Sequence, residues 1–114
     1  MELHDLTAEE EVCLMGLLRE VIQADDDYSE PERVQVLEIR KALGDTRFDR
    51  AIDEAKKRYG ASRAALKEHV KKITRPDARA VIYATLKKVA GSDGVTEGEE
   101  KPLKWLASWW DIEA

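Results

Sequence analysis

Gly91-Ser92-Asp93-Gly94-Val95-Thr96-Glu97-Gly98-Glu99-Glu100 decides how this sequence is read, because an earlier stretch repeats it. Displacing the chain by 67 residues sets Asp26-Asp27-Tyr28-Ser29-Glu30-Pro31-Glu32 over Asp93-Gly94-Val95-Thr96-Glu97-Gly98-Glu99. Five of these seven positions agree in chemistry: Asp, an apolar or aromatic residue, a hydroxyl, Glu, and Glu two further on. The residues before each copy agree as well, Ile22-Gln23-Ala24 over Val89-Ala90-Gly91. Each copy closes one helix with a small residue and an acidic turn. It then opens the next with Ser/Thr-x-x-Glu, in which the hydroxyl accepts from a backbone N–H and the Glu reaches back. The repeat predicts two helix–acidic turn–helix halves related by an approximate two-fold axis, with Asp26 close to Asp93. Hairpins of this kind bury their apolar faces best against each other.

Working outward, the same period-3.6 punctuation covers the rest of the chain. Thr7-Ala8-Glu9-Glu10 is a capping box, and the helix it opens has Val12, Met15, Leu18 and Ile22 on one stripe. Leu14, Leu17 and Val21 widen that stripe, which predicts a central helix contacted on several sides. Cys13 and Met15 then read as core filler. Pro31 suits the first turn of the second helix, where its missing N–H costs nothing, and Gly44 ends it after an apolar face of Val34, Val36 and Leu37. Asp45 is expected to cap a third helix carrying Phe48, Ile52, Ala55 and Tyr59, which Gly60 closes. Ser62 opens a fourth, with Leu66, Val70 and Ile73 inside and His69 at the boundary of that stripe. Arg75-Pro76-Asp77 breaks the chain before a fifth helix built on Ala78, Val81, Ile82, Leu86 and Val89. The sixth has Leu103, Leu106 and Trp110 inward, and Pro102 within it predicts a kink or a later start. No period-2 pattern occurs. The reading is all-α, one domain over residues 1–114, a bundle of about six or seven helices.

Composition and charge narrow the function classes. With 38% charged and only 6% aromatic residues, the core must be aliphatic and the surface densely ionic. Residues 1–32 carry eleven acids against one base, residues 33–90 sixteen bases against seven acids, and residues 91–114 six acids against two bases. A bipolar molecule follows if the two acidic blocks meet. There is no run of about 20 apolar residues for a membrane span, and acids occupy the N-terminus where a signal peptide needs base. A single cysteine allows no internal disulfide, which fits a cytoplasmic location. The basic middle has its bases interspersed with acids and few aromatic residues, so nucleic acid is not expected as a partner.

The paired turns resemble the signature of the TerB-like family, found in tellurite-resistance TerB proteins and at the front of membrane co-chaperones of the DjlA type. Asp26-Asp27-Tyr28-Ser29-Glu30-Pro31-Glu32 and Asp93-Gly94-Val95-Thr96-Glu97-Gly98-Glu99 look like its Asp-Gly-x-(Ser/Thr)-x-x-Glu motif at the usual separation, and Leu106-Ala107-Ser108-Trp109-Trp110 is similar to its final helix. One departure is Asp27, where the family usually has Gly; Asp tolerates a left-handed backbone better than most residues. The resemblance implies a pseudo-two-fold helical domain in stress response or tellurite resistance, with no established catalysis.

Two functions are carried forward from the residues. Ser29-x-x-Glu32 and Thr96-x-x-Glu99 already serve as capping boxes, which leaves the remaining carboxylates as a gathering of like charge. With the two cap glutamates counted in, Asp26, Asp27, Glu32, Asp93 and Glu99 are candidate ligands for a hard cation, Ca²⁺, Mg²⁺ or Mn²⁺, since all are oxygen donors. An EF-hand is excluded, because its twelfth position is Val36 counted from Asp25 and Lys104 counted from Asp93. The other function is protein interaction. Trp105 and Trp109 lie four apart beside the inward stripe of the last helix, so at least one is expected to be exposed and to mark a docking or dimer surface. Membrane association would come only through such a partner. No glycine-rich phosphate loop, Cys/His metal spacing or nucleophile–base set argues for an enzyme.

Overall fold

Helix limits in this protein follow from capping chemistry, and the computed structural model describes them over residues 2–23, 30–60, 62–90 and 97–110. After a short 3-10 turn at Leu3–Asp5 come six helices: α1 Ala8–Gln23, α2 Glu30–Leu43, α3 Asp45–Tyr59, α4 Arg63–Lys72, α5 Pro76–Ala90 and α6 Glu97–Trp110. The described residues contain no strand. The capping box at α1 is complete, with Thr7 N donating to Glu10 Oε1 at 2.8 Å and Glu10 N donating to Thr7 Oγ1 at 3.2 Å. Ser62 caps α4 by accepting from Ala65 N at 3.2 Å. At α3 the expected cap shifts by one residue. Gly44, at φ 90°, takes the cap position, and Asp45 falls inside the first turn, where its charge still meets the positive end of the helix dipole. Gly60, at φ 50°, ends α3 in the left-handed region, its N–H donating to Lys56 O at 3.0 Å. Helix α6 continues through Pro102 to Trp110.

The central position of α1 follows from its breadth of apolar residues. Every residue from Glu10 to Leu18 is buried, together with Val21, and α3, α4, α5 and α6 all pack on this helix. Leu14, Met15, Leu17 and Leu18 are at most 1% exposed, so truncating one of them to Ala costs about 2–5 kcal/mol. The packing is also reciprocal: α1, which leads into the first turn, lies on α6, while α5, which leads into the second, lies on α2. Exchange of α1 with α5 and of α2 with α6 preserves those contacts, as an approximate two-fold relation between halves requires. Helix α3 breaks that symmetry by packing against α1 and α2.

Two buried carboxylates at the start of α1 anchor the N-terminus. Glu11, 1% exposed, accepts from Arg47 Nε at 2.6 Å and from Arg50 Nη2 at 3.3 Å. The same Arg47 donates to the carbonyls of His4 and Leu6 at 3.1 and 3.2 Å. Glu10 accepts from Arg75 Nε at 2.8 Å, while Arg75 Nη2 reaches Asp5 O at 3.2 Å. Two guanidinium forks therefore clamp the N-terminal turn onto α3 and onto the break between α4 and α5. The end of α6 closes on the same α4–α5 break: Trp110 is buried, donates from Nε1 to Val70 O at 3.0 Å, and has its ring 5.8 Å from the Arg79 guanidinium.

The buried face of α2 differs from the sequence expectation. Val34 and Leu37 point outward, 50% and 55% exposed, while Ile39 and Leu43 are buried and Val36 packs half-buried against the core. Both stripes are apolar at helical spacing, 34–37 and 36–39–43. The choice between them is made by where α2 meets α3 and α5, which no local pattern specifies. No helix among the described residues is long and apolar enough to cross a membrane.

Candidate functional site

The structure brings chemistry together at the junction of α1, α3 and α4, around Tyr59 and His69. Their approach begins with the tight corner between α3 and α4, where Ser62 N donates to Tyr59 O at 2.5 Å. His69 lies one turn beyond Leu66 on α4, beside the buried Leu66–Val70–Ile73 stripe, and is itself 9% exposed. Tyr59 closes α3 with its ring against α1. The space for that ring comes from Gly16: a Cβ there would stand 2.5 Å from Tyr59 Cε2 and 2.8 Å from Leu66 Cδ1. A glycine inside a helix ordinarily costs about 1 kcal/mol relative to Ala, and here the cost is offset by the close approach of two buried side chains.

The Tyr59 hydroxyl hydrogen-bonds Nδ1 of His69, with the rings 5.7 Å apart and inclined at 42°. Burial holds the phenol above its ordinary value of 10.0, so the hydroxyl keeps its proton. Nε2 faces the carboxylate of Glu9, which can only accept, and this favours the neutral tautomer protonated on Nε2 with Nδ1 accepting from the Tyr59 hydroxyl. Burial pulls the His69 pKa below its ordinary 6.5, against the opposing pull of Glu9, so the ring is neutral at pH 7. Glu9 Oε2 lies 3.1 Å from Nε2. The contact lacks full hydrogen-bond geometry but still favours the ionised form of Glu9.

Glu9 is held instead by Arg58, whose Nη1 and Nη2 donate to its two oxygens at 2.6 and 3.1 Å. Arg58 Nε also donates to Glu54 at 3.2 Å. That fork holds the Glu9 carboxyl below its ordinary 4.5. Beside these groups is a recess of about 200 Å³ lined by Glu9, Arg58, Tyr59, Ala65, Glu68, His69 and Lys72. The neighbouring groups are poor nucleophiles: Cys13 is fully buried on α1 with its thiol pushed up to about 12. Such a site can hold and orient a small molecule through donors and charges.

The candidate residues of the paired turns lie mostly elsewhere. Asp26, Asp27 and Asp93 fall outside the described residues, as does the expected Asp26–Asp93 proximity. Glu32 is in α2 and Glu99 in α6, but their side chains, like that of Trp105, are outside the described set. Among the described residues, no three His, Cys, Asp or Glu side chains gather to hold a metal ion. Trp109 packs half-buried against the core with the Lys67 ammonium 5.1 Å from its ring centroid.

The sequence placed His69 at the edge of the core and Tyr59 within it, but it did not pair them. Gly16, interrupting an apolar helix, was the available signal that another side chain approaches α1 closely. The Glu9-Glu10-Glu11 run was the signal for the arginines that converge there, Arg47, Arg50, Arg58 and Arg75. Comparison with protein-family models, curated proteins and solved structures finds no match for this chain.

Proposed function

We propose that this chain is a TerB-like helical domain that acts without catalysis, as a protein-interaction module in the response to stress such as tellurite. The observation that carries the interaction part is the outward face of α2. Val34 and Leu37, 50% and 55% exposed, stand one turn apart on a surface that is otherwise densely ionic. Exposed apolar pairs on a charged helix are recognition elements for partner surfaces. Two half-exposed side chains fall far short of the roughly 1,200–2,000 Å² of a stable interface, so the partner is a second protein bound transiently rather than a permanent dimer mate. The stress-response part rests on the paired acidic turns and their TerB-like spacing.

The test is growth under tellurite of a sensitive host that expresses this chain. The Val34→Ser/Leu37→Ser double variant is expected to fold with an unchanged melting curve and to lose protection. Protection equal to that of the parent would remove the α2 face from the account. Failure of the parent chain to protect would remove the tellurite reading.

A second reading, a hard-cation site at the two turns, is favoured by the reciprocal packing of α1 on α6 and of α2 on α5. Titration with Ca²⁺, Mg²⁺ and Mn²⁺ while following tryptophan emission tests it, and Asp93→Asn should weaken the response without unfolding the chain. A flat signal to millimolar cation would sink this reading.

A further inference from the structure

The outward face of α2 carries an ordered pair of charges as well as its two apolar residues. Glu30, Val34, Leu37 and Lys41 recur at intervals of four, three and four, so they form one stripe along the helix. All four are exposed, on the side away from buried Ile39 and Leu43. Glu30 opens the helix and Lys41 lies in its last turn, roughly three turns and about 16 Å away at the rise of an α-helix. The stripe therefore reads acid, apolar, apolar, base. Lys41 stands 3.8 Å from Glu38, but both side chains are well exposed, so water screens that pair and leaves the ammonium open to an incoming carboxylate.

We infer, resting on the reading of α2 as the docking face, that the partner presents an amphipathic helix that lies antiparallel on this stripe and packs two large apolar residues on Val34 and Leu37. Charge order sets the direction. The helix dipole favours acids in a first turn and bases in a last turn, the order that α2 itself has. A partner helix of the same ordinary order meets base with acid at both ends only when it runs antiparallel, its leading acid at Lys41 and its trailing base at Glu30. A helix also satisfies its own backbone, so a strip of side chains is enough to seat it. An extended peptide would need a sheet edge, and the described residues contain no strand. A second copy of the chain fits less well. Two-fold pairing of α2 with itself keeps each flank of the stripe on its own side, so Arg33 comes beside the other Arg33 and Glu38 beside the other Glu38. Both residues are exposed on those flanks. Flanking charges set partner choice in paired helices, and an unrelated helix can place an acid against Arg33 and a base against Glu38.

The probe is a synthetic helix-constrained peptide of about four turns, with an acid, two leucines and a base at the spacing of the α2 stripe and a spin label at its N-terminus. It is titrated into the ¹⁵N-labelled full chain. The Val34 and Leu37 amides are expected to shift saturably, with a dissociation constant on the order of 100 μM, and a peptide with both leucines replaced by serine should shift neither. The label should broaden amides near Lys41 more strongly than those near Glu30. In the Glu30→Lys/Lys41→Glu variant that order should reverse. If the double variant does not fold, Lys41→Glu alone should weaken binding roughly five-fold at low salt. The inference is overturned by the absence of a saturable shift, by broadening that is equal at both ends or stronger at Glu30, or by an unchanged order in the double variant. It is equally overturned by α2 shifts that grow with the concentration of the chain alone, which would make the occupant a second copy. A protein crosslinked at Leu37 without peptide binding would keep α2 as a docking face and remove only its helical occupant. Peptide binding with full tellurite protection in Val34→Ser/Leu37→Ser would keep the helix site and remove the proposed function.

Discussion

The Tyr59 hydroxyl, on the last residue of α3, hydrogen-bonds Nδ1 of His69 on α4, on the opposite side of the ring from the Nε2 that faces Glu9. The contact ties two helices across a corner in which Gly60 takes a positive φ, and it orders the floor of the recess. Tyr59→Phe leaves Nδ1 a buried acceptor with no donor. Urea unfolding should show a loss of about 1–3 kcal/mol, and the ¹⁵N shifts of His69 should move toward the other tautomer. An unchanged midpoint together with unchanged shifts would contradict the pairing.

The pH dependence of stability follows from the same ring. His69 has its pKa lowered in the fold, so between that value and its ordinary 6.5 the unfolded chain binds more protons. Its contribution is fully present above about pH 6.5 and declines as pH falls through that window. Glu9 and Glu10 are lowered from 4.5 by Arg58 and Arg75, so their contributions are present above that value and are lost at still lower pH. Thermal melts across this range should show two successive declines. His69→Gln should remove the upper one and keep the lower.

Much of this fold was legible in the sequence because caps and breakers are local. Thr7 with Glu10, Ser62, Gly60 and Pro76 act within one turn of themselves, and the structure uses each where its chemistry predicts. The face of α2 was not legible, because Val34–Leu37 and Val36–Ile39–Leu43 are equally good stripes until α3 and α5 are in place. Gly44 displaced Asp45 from the cap position because the positive φ needed there suits glycine alone. The site at His69 was half visible. Burial at the edge of a stripe can be counted along α4, whereas a partner ten residues earlier on another helix depends on how the α3–α4 corner closes.

Gly16→Ala sets helix propensity against space. The substitution gains up to about 1 kcal/mol of propensity. It also places a Cβ 2.5 Å from a Tyr59 ring held by His69 and 2.8 Å from a buried Leu66 methyl. Overpacking of a rigid, buried ring costs about 1–3 kcal/mol, so the net effect should be destabilising by about 1 kcal/mol or more. A shift of the denaturation midpoint toward higher denaturant would show that the ring yields freely.

Glu11→Ala should be among the costlier charge deletions. It leaves Arg47 and Arg50 without their shared carboxylate at the α1–α3 contact, where Glu11 is 1% exposed. Breaking a fully buried pair costs about 3–5 kcal/mol, and the partly exposed arginines reduce this to about 2 kcal/mol because water reaches them. Arg47→Ala should cost more than Arg50→Ala, since Arg47 alone also holds the carbonyls of His4 and Leu6. Equal midpoints for the two arginine variants would argue against the clamp.

Cys13 should resist thiol reagents in the native state. It is fully buried and its thiol is pushed up to about 12, so thiolate is scarce at pH 8. Disulfide-exchange labelling should proceed only as fast as the chain opens and reach completion in denaturant. Rapid native labelling would mean that α1 is far less enclosed than its packing implies.

The central claim is that the chain works by presenting the outer face of α2 to another protein. Site-specific photo-crosslinking in living cells tests it most directly, with the photoreactive residue at Leu37 and a control at exposed Asp53 on α3. The account predicts a discrete heterologous crosslinked species from position 37, more abundant under tellurite and absent from position 53. A product that is only a second copy of the chain would contradict the transient-partner reading. The same pattern from both positions, or no product from either, would contradict the claim that this face docks a partner.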